Sequence, residues 1–174
     1  MFVCQEKARN PRNPGSKAGG NHSPDALLPR RSVAPTRTLP RGRGALPFED
    51  VEVGGVRAHV ANVGIKDDQL DFLLASFAEG TTVAGVFTRS AFAGPSVGLS
   101  RDVAGRGSAR GLVVVSKNAN VANGDDGDAD AAELQRRAAA VLGCAAAEVV
   151  VASTGVIGQR YPTERLWSYL DALR

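Results

Sequence analysis

The fold of this chain is best predicted from Val149-Val150-Val151-Ala152-Ser153-Thr154-Gly155-Val156-Ile157-Gly158, where β-branched residues lead into a turn of small hydroxyl and glycine residues. The valines favour a buried strand. A strand that ends at Ser-Thr-Gly presents hydroxyls and unpaired backbone N–H groups, and such groups are suited to bind negative charge. An ordinary strand followed by a glycine turn has the same local pattern, so this alternative stays open on the stretch alone.

A second apolar run precedes this stretch and predicts a strand at residues 111–115 that is buried on both faces. A polar loop follows, and Asp128 is a favourable N-cap for an alanine-rich helix over 129–142 that ends at a glycine. Strand, helix and strand make a βαβ-like unit, which is typical of α/β folds. Ligand sites in such units lie at the strand ends, so loops 116–120 and 153–155 are expected to face one site.

Apolar runs and turn residues elsewhere predict several short strands before this unit and a helix after it. The expected elements are two short strands within 51–63, strands at 71–76 and 82–87, an extended segment at 96–100 after Pro95, a polar glycine-rich segment at 101–107, and a helix at 163–173.

The composition is that of a soluble globular protein, with 43% hydrophobic and 22% charged residues in a chain of 174. No apolar run approaches the roughly 18 residues that span a membrane. The two cysteines, Cys4 and Cys144, are too few and too far apart for a disulfide framework or a zinc site. These features fit a cytoplasmic protein with free thiols.

The net charge of +3 is distributed unevenly along the chain. Residues 1–45 hold nine Lys/Arg against two acidic residues, a net charge of +7, and the remainder holds 12 against 16, a net charge of −4. Residues 1–46 also carry six of the nine prolines, so this basic Pro/Gly-rich tail is expected to be disordered. The acidic balance of 47–174 argues against a nucleic-acid-binding domain, although a tail that contacts nucleic acid remains a weaker alternative.

The candidate site residues follow the two buried strands. Thr154 and Gly155 are expected to form an oxyanion hole, with a hydroxyl and a backbone N–H as the donors. Lys117 is a candidate to meet a substrate carboxylate, and Asn118 and Asn120 are candidates to orient substrate through their amides. Asn is also a common turn residue and Lys is commonly exposed, so these three residues have a purely structural alternative.

The sequence predicts no metal or cofactor site. Asp125, Asp126, Asp128 and Asp130 resemble a calcium-binding loop, but no Glu stands at the twelfth position, so a solvated loop that caps the helix is expected. The two histidines stand apart, and the chain lacks the phosphate-binding loop, the nucleophile elbow and the Cys-x-x-Cys motif.

Three segments together resemble the N-terminal part, the α chain, of the ornithine acetyltransferase family, which is also called glutamate N-acetyltransferase. The resemblance runs from about Gly55 to Leu170 and keeps the family's order and spacing. Its segments are 82–97, which opens with Thr82-Val83-Ala84-Gly85-Val86-Phe87, then 111–124, which contains Ser116-Lys117-Asn118-Ala119-Asn120, and finally Val151-Ala152-Ser153-Thr154-Gly155-Val156-Ile157-Gly158.

The resemblance implies an α/β fold with a layered mixed sheet and helices, from a precursor that cuts itself into two chains. In the family, the N-terminal Thr of the second, β chain is the nucleophile that takes acetyl from N-acetylornithine and passes it to glutamate. The family's oxyanion hole is a Thr-Gly pair, which falls on Thr154 and Gly155. The resemblance implies no cofactor, with acetyl-CoA as an alternative donor in some members. It implies a β-chain partner in a hetero-oligomer, and neither a nucleic-acid nor a membrane partner.

Two departures from the family pattern affect these expectations. Most members have Asn-Ser-Gly-Asn-Ala-Asn where this chain has Val115-Ser116-Lys117-Asn118-Ala119-Asn120, which looks closer to paralogues in clavulanic-acid-type secondary-metabolism clusters. No threonine of this chain stands in the context of the family's cleavage junction, which lies beyond Arg174. An α-chain part that is inactive alone is therefore expected. The alternative is a truncated, non-catalytic remnant that binds a small ligand or a partner chain.

Overall fold

The computed structural model describes residues 3–5, 49–66 and 68–174. The expected disordered tail at 1–46 lies outside these residues apart from Val3–Gln5, so that expectation stays a prediction. The described part combines one central sheet with helices on both of its faces, which confirms the expected α/β fold.

The central sheet has five strands in the order β2-β3-β4-β6-β7. Neighbouring strands pair antiparallel up to β6, and β6 pairs parallel with β7, so the sheet is mixed. A separate antiparallel pairing joins β1 to β5. The strands are Val3–Gln5 (β1), Glu49–Val53 (β2), Val56–Ala61 (β3), Phe72–Phe77 (β4), Thr82–Ala84 (β5), Gly111–Val115 (β6) and Val149–Ser153 (β7).

The described residues contain three α-helices, Pro95–Arg106 (α1), Gly124–Leu142 (α2) and Thr163–Ala172 (α3). Helix α2 connects the parallel strands β6 and β7, as such strands require, and a short 3₁₀ turn at Ala146–Glu148 leads into β7. The predicted helix end at Gly143 is confirmed, because this residue closes α2 in the left-handed conformation at φ 66°. No helix in the described part of the chain is long and apolar enough to cross a membrane.

The main core lies between the sheet and the helices α2 and α3. Its members are the buried residues of four strands and two helices, namely Ala61, Phe72, Leu74, Val113, Val115, Val149, Val151, Leu134, Ala138, Ala139, Leu166 and Leu170, together with Tyr161. On the other face of β7, Val150 packs with Val103 of α1. Strand β7 is thus buried on both faces, as its continuous apolar sequence predicts.

The prediction for residues 96–107 was wrong. This segment is helix α1, and neither an extended strand nor a polar loop forms there. Pro95 starts the helix at its first turn, where the missing N–H and the fixed φ are favourable. The buried residues Ser96, Ser100 and Val103 are spaced by four and three, so the helical period is present but two of its three positions are serines.

Two element boundaries also differ from prediction. Helix α2 begins at Gly124 after Asn123, so Asp128 is an exposed residue of the helix and not its N-cap. Glycine suits position 127 because any larger residue would clash there: its Cβ would lie 2.8 Å from the Asn123 Cβ. Strand β5 ends at Ala84 and not at residue 87, because β1 pairs with only three of its residues.

Candidate functional site

The polar ends of β6 and β7 meet at one edge of the sheet, as the βαβ-like unit predicts. The parallel register places Val115 beside Ser153, the last residue of each strand. Pairing continues beyond the strands, because the Thr154 N–H donates to the Val115 carbonyl over 3.0 Å and Asn118 forms a bridge with Thr154. The predicted loops 116–120 and 153–155 therefore lie side by side.

Gly155 is packed against the main chain of the other loop. A Cβ on this residue would lie 2.1 Å from the Lys117 carbonyl carbon and 2.5 Å from the Asn118 nitrogen, and its φ is 135°. The neighbouring Val156 N–H donates to the Lys117 carbonyl over 3.1 Å, and the Ala119 N–H donates to the Val156 carbonyl over 2.9 Å. Only glycine has both the space and the backbone freedom that this position requires.

The loop after β6 has an unusual backbone. Lys117, Asn120 and Ala122 all have positive φ, at 73°, 48° and 64°. Non-glycine residues rarely take this conformation, and each instance costs on the order of 1–3 kcal/mol. Three such residues within six positions require strong support from their surroundings, and side-chain hydrogen bonds supply it.

The amides of Asn118 and Asn120 provide much of this support. Asn118 is 4% exposed, and its Nδ2 donates to the Arg160 carbonyl over 2.8 Å while its Oδ1 accepts from the Asn120 N–H over 2.8 Å. Asn120 is 1% exposed; its Nδ2 donates to the Gly127 carbonyl over 2.7 Å, and its Oδ1 accepts from Asn123 Nδ2 over 2.8 Å. Both amides, which were predicted to orient substrate, are engaged within the protein.

Arg160 joins this loop system to helix α2. Its guanidinium donates to both oxygens of the buried Asp130 carboxylate, from Nε over 2.8 Å and from Nη2 over 2.9 Å, and to Asp126 from Nη1 over 2.8 Å. The hydrogen bond with Asp130 is the main cause that raises the pKa of Arg160. Asp126 and Asp130 are four residues apart on α2 and so lie on the same face. This spacing is the feature of the sequence from which a basic partner could have been predicted.

Ser153, the residue before Thr154, forms a further polar contact with Tyr161. The Ser153 hydroxyl is hydrogen-bonded to the Tyr161 hydroxyl, and Tyr161 is buried. Burial raises the pKa of Tyr161, against the opposite effect of its hydrogen bonds with Ser153 and Asn120. The phenol is therefore neutral at physiological pH. Sequence reasoning missed Tyr161 because it stands in a connection between β7 and α3 that has no periodic pattern.

Thr154 and Gly155 differ from these supporting residues, because both are exposed. Among the residues that the structure describes, neither the Thr154 hydroxyl nor the Gly155 N–H has a hydrogen-bond partner. Lys117 is half-buried, and its Nζ donates to Gln69 Oε1 over 2.9 Å at the border of the same loop. The arrangement thus offers two free donors on a rigid backbone, and Gly155 lies against the main chain of the cationic residue Lys117.

Within the described ranges, no cluster of three or more His, Cys, Asp or Glu residues is arranged to hold a metal ion. The acidic residues that resembled a calcium-binding loop lie on α2, and two of them face Arg160. An ion pair with an arginine leaves these two carboxylates without the geometry of a calcium loop.

Comparison with known proteins identifies the family. The ArgJ family model matches residues 57–174, which is well over half of the chain. The chain belongs to the ArgJ family. Among curated relatives, glutamate N-acetyltransferase Oat2 of Streptomyces clavuligerus is 46% identical over 120 residues, which cover 68% of this chain and 30% of that protein. The arginine biosynthesis bifunctional protein ArgJ 2 of Nostoc sp. is 46% identical over 112 residues, covering 64% and 29%.

Solved structures agree with this assignment. The ornithine acetyltransferase of Mycobacterium tuberculosis, crystallised with ornithine, superposes with a TM-score of 0.65 at 32% identity over 68% of this chain and 65% of that chain. The arginine biosynthesis bifunctional protein of Bacillus halodurans shares the fold, with a TM-score of 0.64 over 70% of this chain and 62% of that chain. This chain of the ArgJ family spans about 30% of the length of the curated relatives named above.

Proposed function

We propose that this chain is the α-chain part of an acetyltransferase that moves acetyl from N-acetylornithine to glutamate, and that Thr154 and Gly155 form its oxyanion hole. The observation that carries the proposal is the pair of free donors at the joined ends of β6 and β7. Membership of the ArgJ family supports the reaction class, since its relatives include a glutamate N-acetyltransferase and an ornithine acetyltransferase.

The chemistry of acyl transfer requires donors that are fixed before the reaction begins. Attack on an acetyl carbonyl places negative charge on its oxygen, and donors about 2.7–3.1 Å from that oxygen stabilise the transition state. The Thr154 hydroxyl and the Gly155 N–H supply two such donors on a turn that is held by main-chain hydrogen bonds. Because such donors are already in place, no free energy is spent on reorienting them during the reaction.

The remaining catalytic groups would come from a β chain whose N-terminal threonine is the nucleophile, in a hetero-oligomer. This step rests on the family resemblance. The exposed apolar residues beside the donors, Val156 at 44% and Ile157 at 58% exposure, offer a surface that such a chain can cover. No resident cofactor takes part, and acetyl-CoA is an alternative acetyl donor.

The loop residues divide into two roles in this proposal. Asn118 and Asn120 are positioning residues, because their amides hold the backbone on which Gly155 rests. Lys117, whose main chain lies against Gly155, donates from its Nζ to Gln69, and in this proposal it meets a carboxylate of N-acetylornithine or glutamate. A lysine that contacts one polar amide loses little when it exchanges that contact for a carboxylate.

The experiment is purification of the protein from its source cells, followed by intact-mass measurement of every co-purifying chain and an assay of acetyl transfer from N-acetylornithine to glutamate. The proposal expects an equimolar partner that begins with threonine and a preparation that transfers acetyl. A chain that purifies alone and transfers no acetyl identifies the non-catalytic remnant and contradicts the proposal. A co-purifying partner of another kind also contradicts it.

A further inference from the structure

The hydroxyl of Tyr161 joins the two loops that meet at the candidate oxyanion hole. It is hydrogen-bonded to the hydroxyl of Ser153, the residue before Thr154. It is also hydrogen-bonded to the side chain of Asn120, in the loop after β6. Tyr161 is 4% exposed and belongs to the main core. One buried phenol thus contacts the chain beyond both strand ends from the side of the core.

The side chains on either side of the end of β7 point in opposite directions, because successive side chains of a strand alternate between its faces. Ser153 shares a face with Val149 and Val151, which belong to the main core, and its hydroxyl meets the phenol there. Thr154 is exposed. The phenol therefore holds the turn from its buried side and leaves the donors of Thr154 and Gly155 uncovered.

Asn120 carries the second contact of the phenol into the loop after β6. Its residue is 1% exposed and has a positive φ of 48°. The neighbouring Ala119 N–H donates to the Val156 carbonyl over 2.9 Å, just after Gly155. The phenol is thus connected to the turn on both sides of Gly155, directly through Ser153 and indirectly through this loop.

Packing alone does not explain a tyrosine at position 161. Phenylalanine would fill nearly the same volume of the core and would bring no polar group that needs a partner. Burial of a hydroxyl is unfavourable unless hydrogen bonds compensate for the lost water. The hydrogen bonds that the structure gives this hydroxyl go to the two loops, so its effect is on the loops and not on the core.

From these contacts we infer that Tyr161 is a positioning residue for acetyl transfer, and that its hydroxyl holds the turn of Thr154 and Gly155 in the geometry that an oxyanion requires. This inference rests on the proposed function, since it concerns the same turn. Oxyanion donors act at about 2.7–3.1 Å, and a misplacement of about 1 Å can cost on the order of 10²-fold in rate. Tyr161 is buried and acts through Ser153 and Asn120.

The test compares kcat and KM for N-acetylornithine in the natural enzyme and in Tyr161→Phe, both isolated from source cells. The inference expects kcat to fall by about tenfold, the rate equivalent of one hydrogen bond, with KM nearly unchanged. This division is expected because the hydroxyl acts on donors that are used in the transition state. The matched control is Tyr169→Phe, which removes the phenol hydroxyl that contacts His59 and should keep the natural kcat.

Ser153→Ala removes the same hydrogen bond from the side of the strand, and it answers the question even where Tyr161→Phe folds poorly. It should also lower kcat. The double variant should lose no more than Tyr161→Phe alone, because the two substitutions remove one shared contact. Losses that multiply in the double variant would show that the two hydroxyls act independently and would overturn the inference.

Thr154→Ala in the same assay separates this inference from the proposed function. A Thr154→Ala enzyme that keeps its natural kcat contradicts the proposed function, and the inference falls with it. A slow Thr154→Ala enzyme beside Tyr161→Phe and Ser153→Ala enzymes of natural kcat overturns the inference alone. An equal loss of kcat in Tyr169→Phe, or a loss in Tyr161→Phe that lies in KM, also overturns it, because either result indicates a general effect on the core.

Discussion

Gly155 and Lys117 lie in direct main-chain contact, with the Lys117 carbonyl carbon 2.1 Å from the point where a Cβ of residue 155 would stand. This contact lies just beyond the ends of two parallel strands, which finish at Ser153 and Val115. The position of the Gly155 N–H is therefore set by the loop after β6 as much as by β7.

Gly155→Ala is expected to destabilise the protein by more than about 1–3 kcal/mol. The new Cβ collides with main-chain atoms that cannot move aside, and alanine is strained at a φ of 135°. Urea denaturation followed by circular dichroism measures the free energy of unfolding. The matched control is Gly98→Ala in α1, where a Cβ meets no atom within 4 Å; it should stabilise by roughly 0.5–1 kcal/mol. Equal effects of the two substitutions would contradict the close packing of the loops.

The Asp130–Arg160 pair is expected to stabilise the loop after β6. The Arg160 carbonyl accepts a hydrogen bond from the Asn118 amide, and the Asn118 Oδ1 in turn accepts one from the Asn120 N–H. Loss of the ion pair between Arg160 and Asp130 should therefore loosen first Asn118 and then Asn120. A double-mutant cycle with Asp130→Asn and Arg160→Ala should give a coupling energy between about 0.5 and 3 kcal/mol.

Hydrogen exchange gives a second readout of the same pair. The Asn120 amide should exchange faster in Arg160→Ala than in the natural protein, because its acceptor Asn118 is less fixed. Asp128→Asn, an exposed carboxylate on the same helix, serves as the control and should change stability by less than about 0.5 kcal/mol. Unaltered exchange at Asn120 in the Arg160 variant would show that the ion pair does not position this loop.

Stability is expected to fall with pH below 6.5 because of His59. This residue is 1% exposed, and desolvation lowers its pKa from 6.5. Its Nε2 lies 2.5 Å from the Tyr169 hydroxyl, a contact that suits a neutral ring whose Nε2 accepts a hydrogen bond from the phenol. Below pH 6.5 His59 is protonated in the unfolded chain but stays neutral in the folded chain. Acidification therefore favours unfolding until the pH reaches the lowered pKa of His59 in the folded protein.

The contribution of His59 can be separated from that of the carboxylates. Hydrogen bonds from Arg136 are the largest cause that lowers the pKa of Glu133 from 4.5 to about 2, so its stabilisation is lost only below pH 4.5. Between pH 6.5 and 4.5, urea midpoints should decline in the natural protein and decline less in His59→Gln. Parallel declines in the two proteins would exclude His59 as the source.

Much of the fold can be predicted from the sequence because its strands are continuous apolar runs. The strand at 111–115 and the helix end at Gly143 are confirmed, since a continuous apolar run and a left-handed glycine leave plain local signals. The predicted burial of this strand on both faces is only partly met, because Leu112 and Val114 are half-buried. Helix α1 could not be predicted in this way. Its buried face contains Ser96 and Ser100, which are polar in sequence and bond or face the edge of β7 only in the folded chain.

Only part of the candidate site could likewise be predicted from the sequence. The meeting of the two strand ends follows from the topology of a parallel pair, and loop sequence alone indicates donors at Thr154 and Gly155. The partners of the asparagine amides could not be predicted, because Arg160 and Gly127 become neighbours of the loop only through tertiary packing. The positive φ of Lys117 could not be predicted either, because lysine has no local preference for this conformation.

The most direct test of the central claim is the rate of acetyl transfer by the enzyme isolated from source cells that carry Thr154→Ala. Loss of one oxyanion donor should lower kcat by about 10²–10³-fold with little change in the KM for N-acetylornithine. Thr154→Ser, which restores the hydroxyl, should recover most of the rate, and Ser168→Ala should match the natural enzyme. A Thr154→Ala enzyme that keeps its natural kcat would contradict the assignment of the oxyanion hole to this turn.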